Sequence, residues 1–319
     1  MKSKFNQKKF NEVSQQWLAF KKMSVKYSTY VKYENTITAY LIEDFGEISL
    51  KNIDENMIIT FFQKKIEEKY ANSTLTCIRY VLKSILEFGQ KLYGVAPINF
   101  NYIKIGKLKN KYTILSHHQK SFLDQYCFTH YEPISIAILL SMYGGLRLGE
   151  FCGLKWCDID FQNDLLYVHR TIERLKCEDK NSKCKTKLMI LEPKTDTSKR
   201  VVPLPHFIIE YLVEYYEQTG SLNTEYYIYT NSLAIPDPRN VQYHFNKVCK
   251  SYNFHINYHS LRHSYATNCM MHEIDIKSLS EILGHSSVST TLNLYVHSTI
   301  EFKKTQISKL EKPEFIVEF

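Results

Sequence analysis

The stretch Gly144-Gly145-Leu146-Arg147-Leu148-Gly149-Glu150 follows a strongly apolar run at residues 133–143. The run predicts a buried helix, the paired glycines its stop, and residues 147–154 the start of a second helix. On that helix Arg147 and Glu150 stand three apart and share a face, so the carboxylate either fixes the guanidinium or makes a surface ion pair with it. Further along come Pro193-Lys194-Thr195, His259-Ser260-Leu261-Arg262-His263, Leu283-Gly284-His285 and then Tyr295. Two guanidinium forks suit the oxygens of a phosphate. A tyrosine downstream of such a clamp is a candidate nucleophile. His259 and Arg262, also three apart, can address one ligand while Leu261 turns to the core; His263 is expected to face elsewhere. Each residue alone has a structural reading. The set points to phosphoryl transfer through a phosphotyrosine, with DNA as the source of the phosphate.

Composition sets the frame for that chemistry. The chain has 319 residues, room for two domains of ordinary size, and its 44% hydrophobic content suffices for two cores. Lys and Arg exceed Asp and Glu by eight, a mild surplus. Its distribution says more. Residues 1–33 hold eight lysines against Glu12, and Lys104, Lys107, Lys109 and Lys111 crowd residues 101–111 without an acid. Such patches either neutralise phosphates and release counterions or are solvated surface. The eight cysteines form no CxxC pair, so a zinc site is not expected and reduced thiols are. His117 and His118 lack further ligands nearby and read as first-turn polarity. The start of the chain has no secretory pattern, and no apolar run approaches the roughly 20 residues of a membrane span, so a cytoplasmic protein without membrane contact is expected.

Periodicity organises the rest. Four helices are predicted before residue 97. The first covers 8–23, with Phe10, Val13, Trp17, Leu18 and Phe20 inward, and the second 28–45. The third is capped by Asp54. The fourth is capped by Asn72 or Ser73 and ended by Gly94 and Pro97. Ser116-His117-His118-Gln119 is a capping box opening a new helix. Strand character appears at 165–172, 188–192 and 200–204; the last two flank a polar turn at 194–198 and are expected to pair as a hairpin. The charged stretch 173–187 is expected to be a mobile hairpin extension. Helix is expected from about 206 to about 310.

These motifs resemble those of the tyrosine recombinases, or phage-type integrases: Gly-Leu-Arg-x-x-Glu at 145–150, the lysine at 194, His-x-Leu-Arg-His at 259–263, Leu-Gly-His at 283–285, and Tyr295 ten residues later. The likeness covers about residues 115–300 by motif and reaches 1–110 only as general likeness to the family's helical domain. It implies a mainly α fold with a small β-sheet. Residues 1–105 would form a helical, SAM-like core-binding domain, 106–112 a basic linker, and 113–319 a mixed catalytic domain with a C-terminal tail, the two domains clamping DNA.

The resemblance also implies roles. Tyr295 attacks the phosphate to give a 3′-phosphotyrosyl link, Arg147 and Arg262 grip the non-bridging oxygens, and Lys194 protonates the leaving 5′-oxygen. His259 assists proton transfer, His285 hydrogen-bonds the phosphate, and Glu150 supports Arg147. Lys104, Lys107, Lys109 and Lys111 would meet the DNA backbone. Cationic side chains and a covalent link that conserves phosphodiester energy call for no metal and no nucleotide cofactor. Two departures stand out: Ser260 where the family often has an acid, and the long 173–187 extension, which leaves Lys187 or Lys199 as fallback general acids. Tyr258 and Tyr265 are poorer nucleophile candidates than Tyr295. The expected partners are double-stranded DNA with specific core sites, three further copies in a tetramer, and an accessory or directionality factor. The apolar end Phe315-Ile316-Val317 would dock on its own domain or exchange with a neighbouring protomer. No separate arm-binding domain is expected ahead of residue 8. The function implied is site-specific recombination, for integration and excision of a mobile element or for multimer resolution. The alternatives are a type IB topoisomerase-like enzyme and a catalytically silent DNA-binding protein.

Overall fold

The computed structural model describes residues 8–106, 113–177, 184–191, 199–220, 223–285, 287–294, 304 and 307–308. Tyr295, Lys194, Lys107, Lys109, Lys111 and the apolar C-terminal tail lie outside the described residues. The chain divides into two compact units, Met1–Asn110 and Lys111–Phe319. No helix among the described residues is long and apolar enough to cross a membrane.

The first unit is helical because its apolar residues recur at helical spacing and close on one another. Its elements are α1 (Phe10–Lys22), α2 (Tyr27–Thr36), α3 (Ile42–Phe45), α4 (Glu55–Glu67) and α5 (Asn72–Tyr93), with a π turn at Ile37–Leu41 between α2 and α3. Phe10, Val13, Trp17 and Leu18 of α1 meet Phe61 and Phe62 of α4 and Ile78, Leu82 and Ile85 of α5 in one core. Asp54 caps α4 as expected, its carboxylate accepting from Met57 N–H at 2.8 Å. The cap predicted for α5 is corrected: Ala71 holds that position without a side-chain bond, and Asn72 instead donates from Nδ2 to the Gly106 carbonyl. Gly94 ends α5 in the left-handed conformation, φ +67°, where a side chain would be strained.

The second unit is built on α7 (Pro133–Tyr143), whose residues 134–142 are all buried. Around it stand α6 (His117–Thr129), α8 (Leu148–Cys152), α9 (His206–Thr219), α10 (Pro238–Ser251), α11 (His259–Met271), α12 (Ile276–Leu283) and α13 (Val288–Leu294). Ser116 and Gln119 form the expected capping box on α6.

The strands differ from expectation. Among the described residues there are two small sheets. One runs in the order β1 (Ile159–Asp160), β2 (Leu165–Val168), β5 (Arg200–Pro203), all antiparallel. The other is a ribbon of β3 (Thr171–Lys176) with β4 (Thr186–Leu191), in register from Thr171 opposite Leu191 to Lys176 opposite Thr186. The predicted pairing of 188–192 with 200–204 is therefore wrong. Val202 is buried opposite Leu166 of β2, and that burial draws β5 away from its neighbour in sequence. The described ends of 173–187 do pair as a hairpin, as expected, with Glu173–Lys176 on β3 and Thr186–Lys187 on β4. The ribbon tolerates its charge because Ile172 is buried and Arg174 is neutralised by Asp237. Helix is also interrupted between α9 and α10, where Tyr227 bridges both Lys155 and Ser232 in antiparallel fashion.

Asp237 joins the ribbon to α10. Its carboxylate accepts from Arg174 Nε at 3.1 Å and from Arg174 Nη2 at 2.5 Å, and it caps α10 by accepting from Arg239 N–H at 3.1 Å. Arg174→Ala is expected to loosen the ribbon alone: amide exchange at 186–191 should rise about tenfold while the α7 amides keep their protection. Hydrogen exchange with mass readout checks this.

Candidate active site

Three elements deliver charged side chains to one place. Arg147 precedes α8, and Glu150 lies in its first turn with its side chain only 6% exposed. The carboxylate accepts from Arg147 N–H at 2.9 Å and from Arg147 Nη1 at 2.7 Å. Arg262 comes from α11, whose Leu261, Tyr265 and Ala266 are buried and fix its roll. Arg262 itself is 3% exposed, with Nη1 3.9 Å from Glu150 Oε2. The third guanidinium, Arg200, opens β5 and was not foreseen. It meets Glu150 in a fork, Nη1 to Oε1 at 3.0 Å and Nη2 to Oε2 at 2.9 Å. The available signal was alternation: Arg200, Val202 and Leu204 are two apart, and the last two are buried, so Arg200 shares an inward face that demands a carboxylate.

The far side of the cluster is the end of α12. A helix leaves its last carbonyls without partners and carries partial negative charge there. Here the arginines take three of them in succession. Arg200 Nε donates to Ile282 O, Arg262 Nη2 to Leu283 O, and Arg147 Nη2 to Gly284 O. Gly284, at φ +62°, then turns the chain and presents His285. The half-buried His285 has its Nδ1 2.8 Å from the Thr291 hydroxyl of α13, and Thr291 is fully buried. Thr291 is a second residue the sequence reading passed over; it stands four positions before Tyr295.

Gly145 explains the first motif. Its φ is +65°, and a Cβ there would lie 2.6 Å from the Tyr265 ring and 2.9 Å from Leu283. Its carbonyl accepts from Arg262 Nη1 at 2.6 Å. Only glycine gives that turn, that approach and that acceptor at once.

The histidines sit close by. His259, at the start of α11, is exposed, and the His263 ring lies edge-on to it with centroids 4.6 Å apart. His263 therefore packs on a site residue one helical turn away, contrary to the expectation that it faces elsewhere. Tyr258 and Tyr265 are buried, and Tyr258 donates to Ala137 O at 2.7 Å. Lys104 is exposed in the first unit, and Lys187 is exposed on β4 opposite Leu175. Lys199 is exposed just before β5 and has an interaction of its own.

Electrostatics follow from burial. Burial alone would raise the Glu150 pKa, but hydrogen bonds from Arg200, then the charges of Arg200, Arg147 and Arg262, outweigh it and hold the group at about 2. Three guanidiniums against one carboxylate leave two positive charges over, a ready anion site. Burial, then the arginine charges, push His285 down to about 4, and burial followed by His259 and Arg262 does the same to His263. His259 keeps an exposed edge, yet desolvation of the rest of its ring, then the charges of Arg262 and Arg147, lower its pKa.

Comparison with known proteins bears on this arrangement. Residues 113–301, more than half of the chain, match the phage integrase family, and residues 9–66 match the phage integrase N-terminal SAM-like domain. This chain belongs to the phage integrase family, the tyrosine recombinases. A relative of this recombinase is the tyrosine recombinase XerC-like protein of Caldanaerobacter subterraneus subsp. tengcongensis, 27% identical over 311 residues, covering 91% of this chain and 79% of the relative. Among solved structures, the Tn1549 transposon integrase in complex with transposon right end DNA has a similar fold. The TM-score is 0.74 at 19% identity, covering 95% of this recombinase and 99% of that chain. The lambda integrase tetramer bound to a Holliday junction gives 0.66 at 17%, covering 90% and 78%.

The pKa shifts give the recombinase two acid-sensitive windows. Glu150 is depressed from 4.5 to about 2, so its stabilisation is full above pH 4.5 and lost as pH falls through 2, a contribution of about 3 kcal/mol. The folded state also resists protonation of His263 and His285, depressed from 6.5 to about 4, so stability declines over that higher range. Glu150→Gln is expected to flatten the pH 4.5–2 limb and leave the pH 6.5–4 limb. Urea midpoints measured against pH test this, and an unchanged lower limb would count against the charge cluster.

Proposed function

We propose that this recombinase performs site-specific exchange of DNA strands, carried by one observation: Arg147 and Arg262, far apart in sequence, converge on one buried carboxylate with positive charge to spare. In this reading the two guanidiniums hold the non-bridging oxygens of the scissile phosphate and stabilise the charge that grows in the transition state. The Tyr295 oxygen attacks phosphorus, the bond to the 5′-oxygen breaks, and Lys194 supplies the proton that oxygen needs. His259 helps remove the phenolic proton, and His285 donates to the phosphate. Glu150 keeps Arg147 oriented. A 5′-hydroxyl from another strand reverses the step and releases the tyrosine. The protein residues provide every proton and charge required, so the scheme calls for neither metal nor nucleotide.

DNA is the substrate on this reading, and Lys104, Lys107, Lys109 and Lys111 would neutralise its backbone. The unit holding 1–105 would bind the core site, 106–112 would link it, and 113–319 would carry the chemistry. Support for the assembly comes from the lambda integrase, which is bound as a tetramer to a Holliday junction. Four copies on paired core sites, exchanging C-terminal tails and answering to an accessory factor, would integrate and excise a mobile element or resolve multimers in the cytoplasm.

Incubation with a nicked duplex carrying the site this protein selects from a random library should give a covalent adduct on a denaturing gel without added metal. Tyr295→Phe should abolish the adduct, and Lys194→Ala should slow it by about 100-fold with DNA binding retained. An adduct that survives Tyr295→Phe would sink the assignment of the nucleophile. Relaxation of a supercoiled plasmid lacking the site would favour a topoisomerase.

A further inference from the structure

We propose that Arg200 is a positioning residue for strand cleavage: by occupying both oxygens of Glu150, it keeps Arg147 and Arg262 available to the scissile phosphate. The proposal rests on the phosphotyrosine reading above.

Glu150 is both the organiser of the clamp and a rival for it. A carboxylate and a phosphate offer a guanidinium the same kind of acceptor. If the clamp arginines satisfied Glu150 by themselves, each would give the carboxylate further N–H groups that a phosphate could otherwise use. The geometry divides the labour otherwise. Arg200, buried with its side chain 5% exposed, gives Glu150 a bidentate fork at 3.0 and 2.9 Å. Arg147 gives one side-chain bond at 2.7 Å, and Arg262 stands off at 3.9 Å, its Nη groups donating to the Gly145 and Leu283 carbonyls instead. The strongest grip on the carboxylate thus comes from the arginine least exposed to a ligand after Arg262, and one that lies on a strand rather than on a clamp helix.

Charge leads to the same conclusion. With Arg200 present the cluster carries two positive charges in excess; without it, one. Glu150, stripped of its fork, would draw Arg262 across the remaining distance and pull Arg147 tighter. Arg200 also donates to Ile282 O, so its loss frees the first of the three carbonyls that anchor α12 ahead of His285. Removing the negative charge as well, by Glu150→Gln, restores the excess of two and ends the competition. A role confined to stability predicts the reverse, since the double change removes more buried bonds than the single one.

The test compares wild type, Arg200→Met, Arg200→Lys and the Arg200→Met/Glu150→Gln double variant, each as the full chain. The probe is the nicked duplex described above, at saturating concentration, with the rate of covalent adduct formation, DNA affinity and melting temperature read in parallel. Arg200→Met is expected to slow cleavage by about 100-fold while affinity changes less than about threefold. Arg200→Lys, which keeps the charge but not the fork, should fall between. The double variant should cleave about tenfold faster than Arg200→Met despite melting no higher. Wild-type rates in Arg200→Met, or a double variant no faster than the single one, would overturn the proposal. Should Arg200→Met fail to fold, Arg200→Lys decides: cleavage equal to wild type at saturating DNA overturns it. A wild type without any Tyr295-dependent adduct would defeat the phosphotyrosine reading and this proposal together. A wild-type adduct with unimpaired Arg200 variants defeats this proposal alone.

Discussion

Glu150 is an anion held among cations inside a protein, and the catalytic unit is arranged around satisfying it. An ionised carboxylate cannot be buried without partners at a cost the fold could bear. Its partners come from the edge of α8, from β5 and from α11, so those elements must be in place together. The guanidiniums it gathers would repel one another without it, and they in turn meet the bare carbonyls at the end of α12. One carboxylate therefore sets the mutual placement of most of the chemistry.

The same network explains why small residues recur in the motifs. Gly145 stands where the Tyr265 ring, Leu283 and the Arg262 guanidinium all crowd the backbone. At Gly149 a Cβ would lie 2.6 Å from the Thr171 hydroxyl and 2.8 Å from the Ile172 carbonyl, so β3 can lie against α8 only because that position is bare. The glycines admit neighbours; the charged residues between them do the gathering.

Much of this was legible before any coordinates. Helical periodicity located the elements of the first unit, since a single apolar stripe closing on Trp17 and Ile78 leaves little choice. The caps at Asp54 and Ser116 were readable because capping is local chemistry. Arg147 with Glu150 could be paired on helix geometry alone. What eluded the sequence was long-range. Alternation showed which face of residues 200–204 is buried but not that β2, rather than β4, lies beside it. Arg200 was hidden for the same reason: its partner is fifty positions away, and nothing local ties a strand arginine to a helix carboxylate. Asn72 misled because its side chain had a better acceptor in Gly106 than the helix end could offer.

The three carbonyls at the end of α12 carry a consequence for how the chain comes into being. Residues 282–284 are made long after Arg147 and Arg200, and until they arrive the arginines lack acceptors that fix their directions. A chain emerging from the ribosome therefore holds scattered basic groups and no organised clamp. The directions of the three arginines can be fixed only after residue 284 has been made, so a chain cut short before it would lack that anchoring.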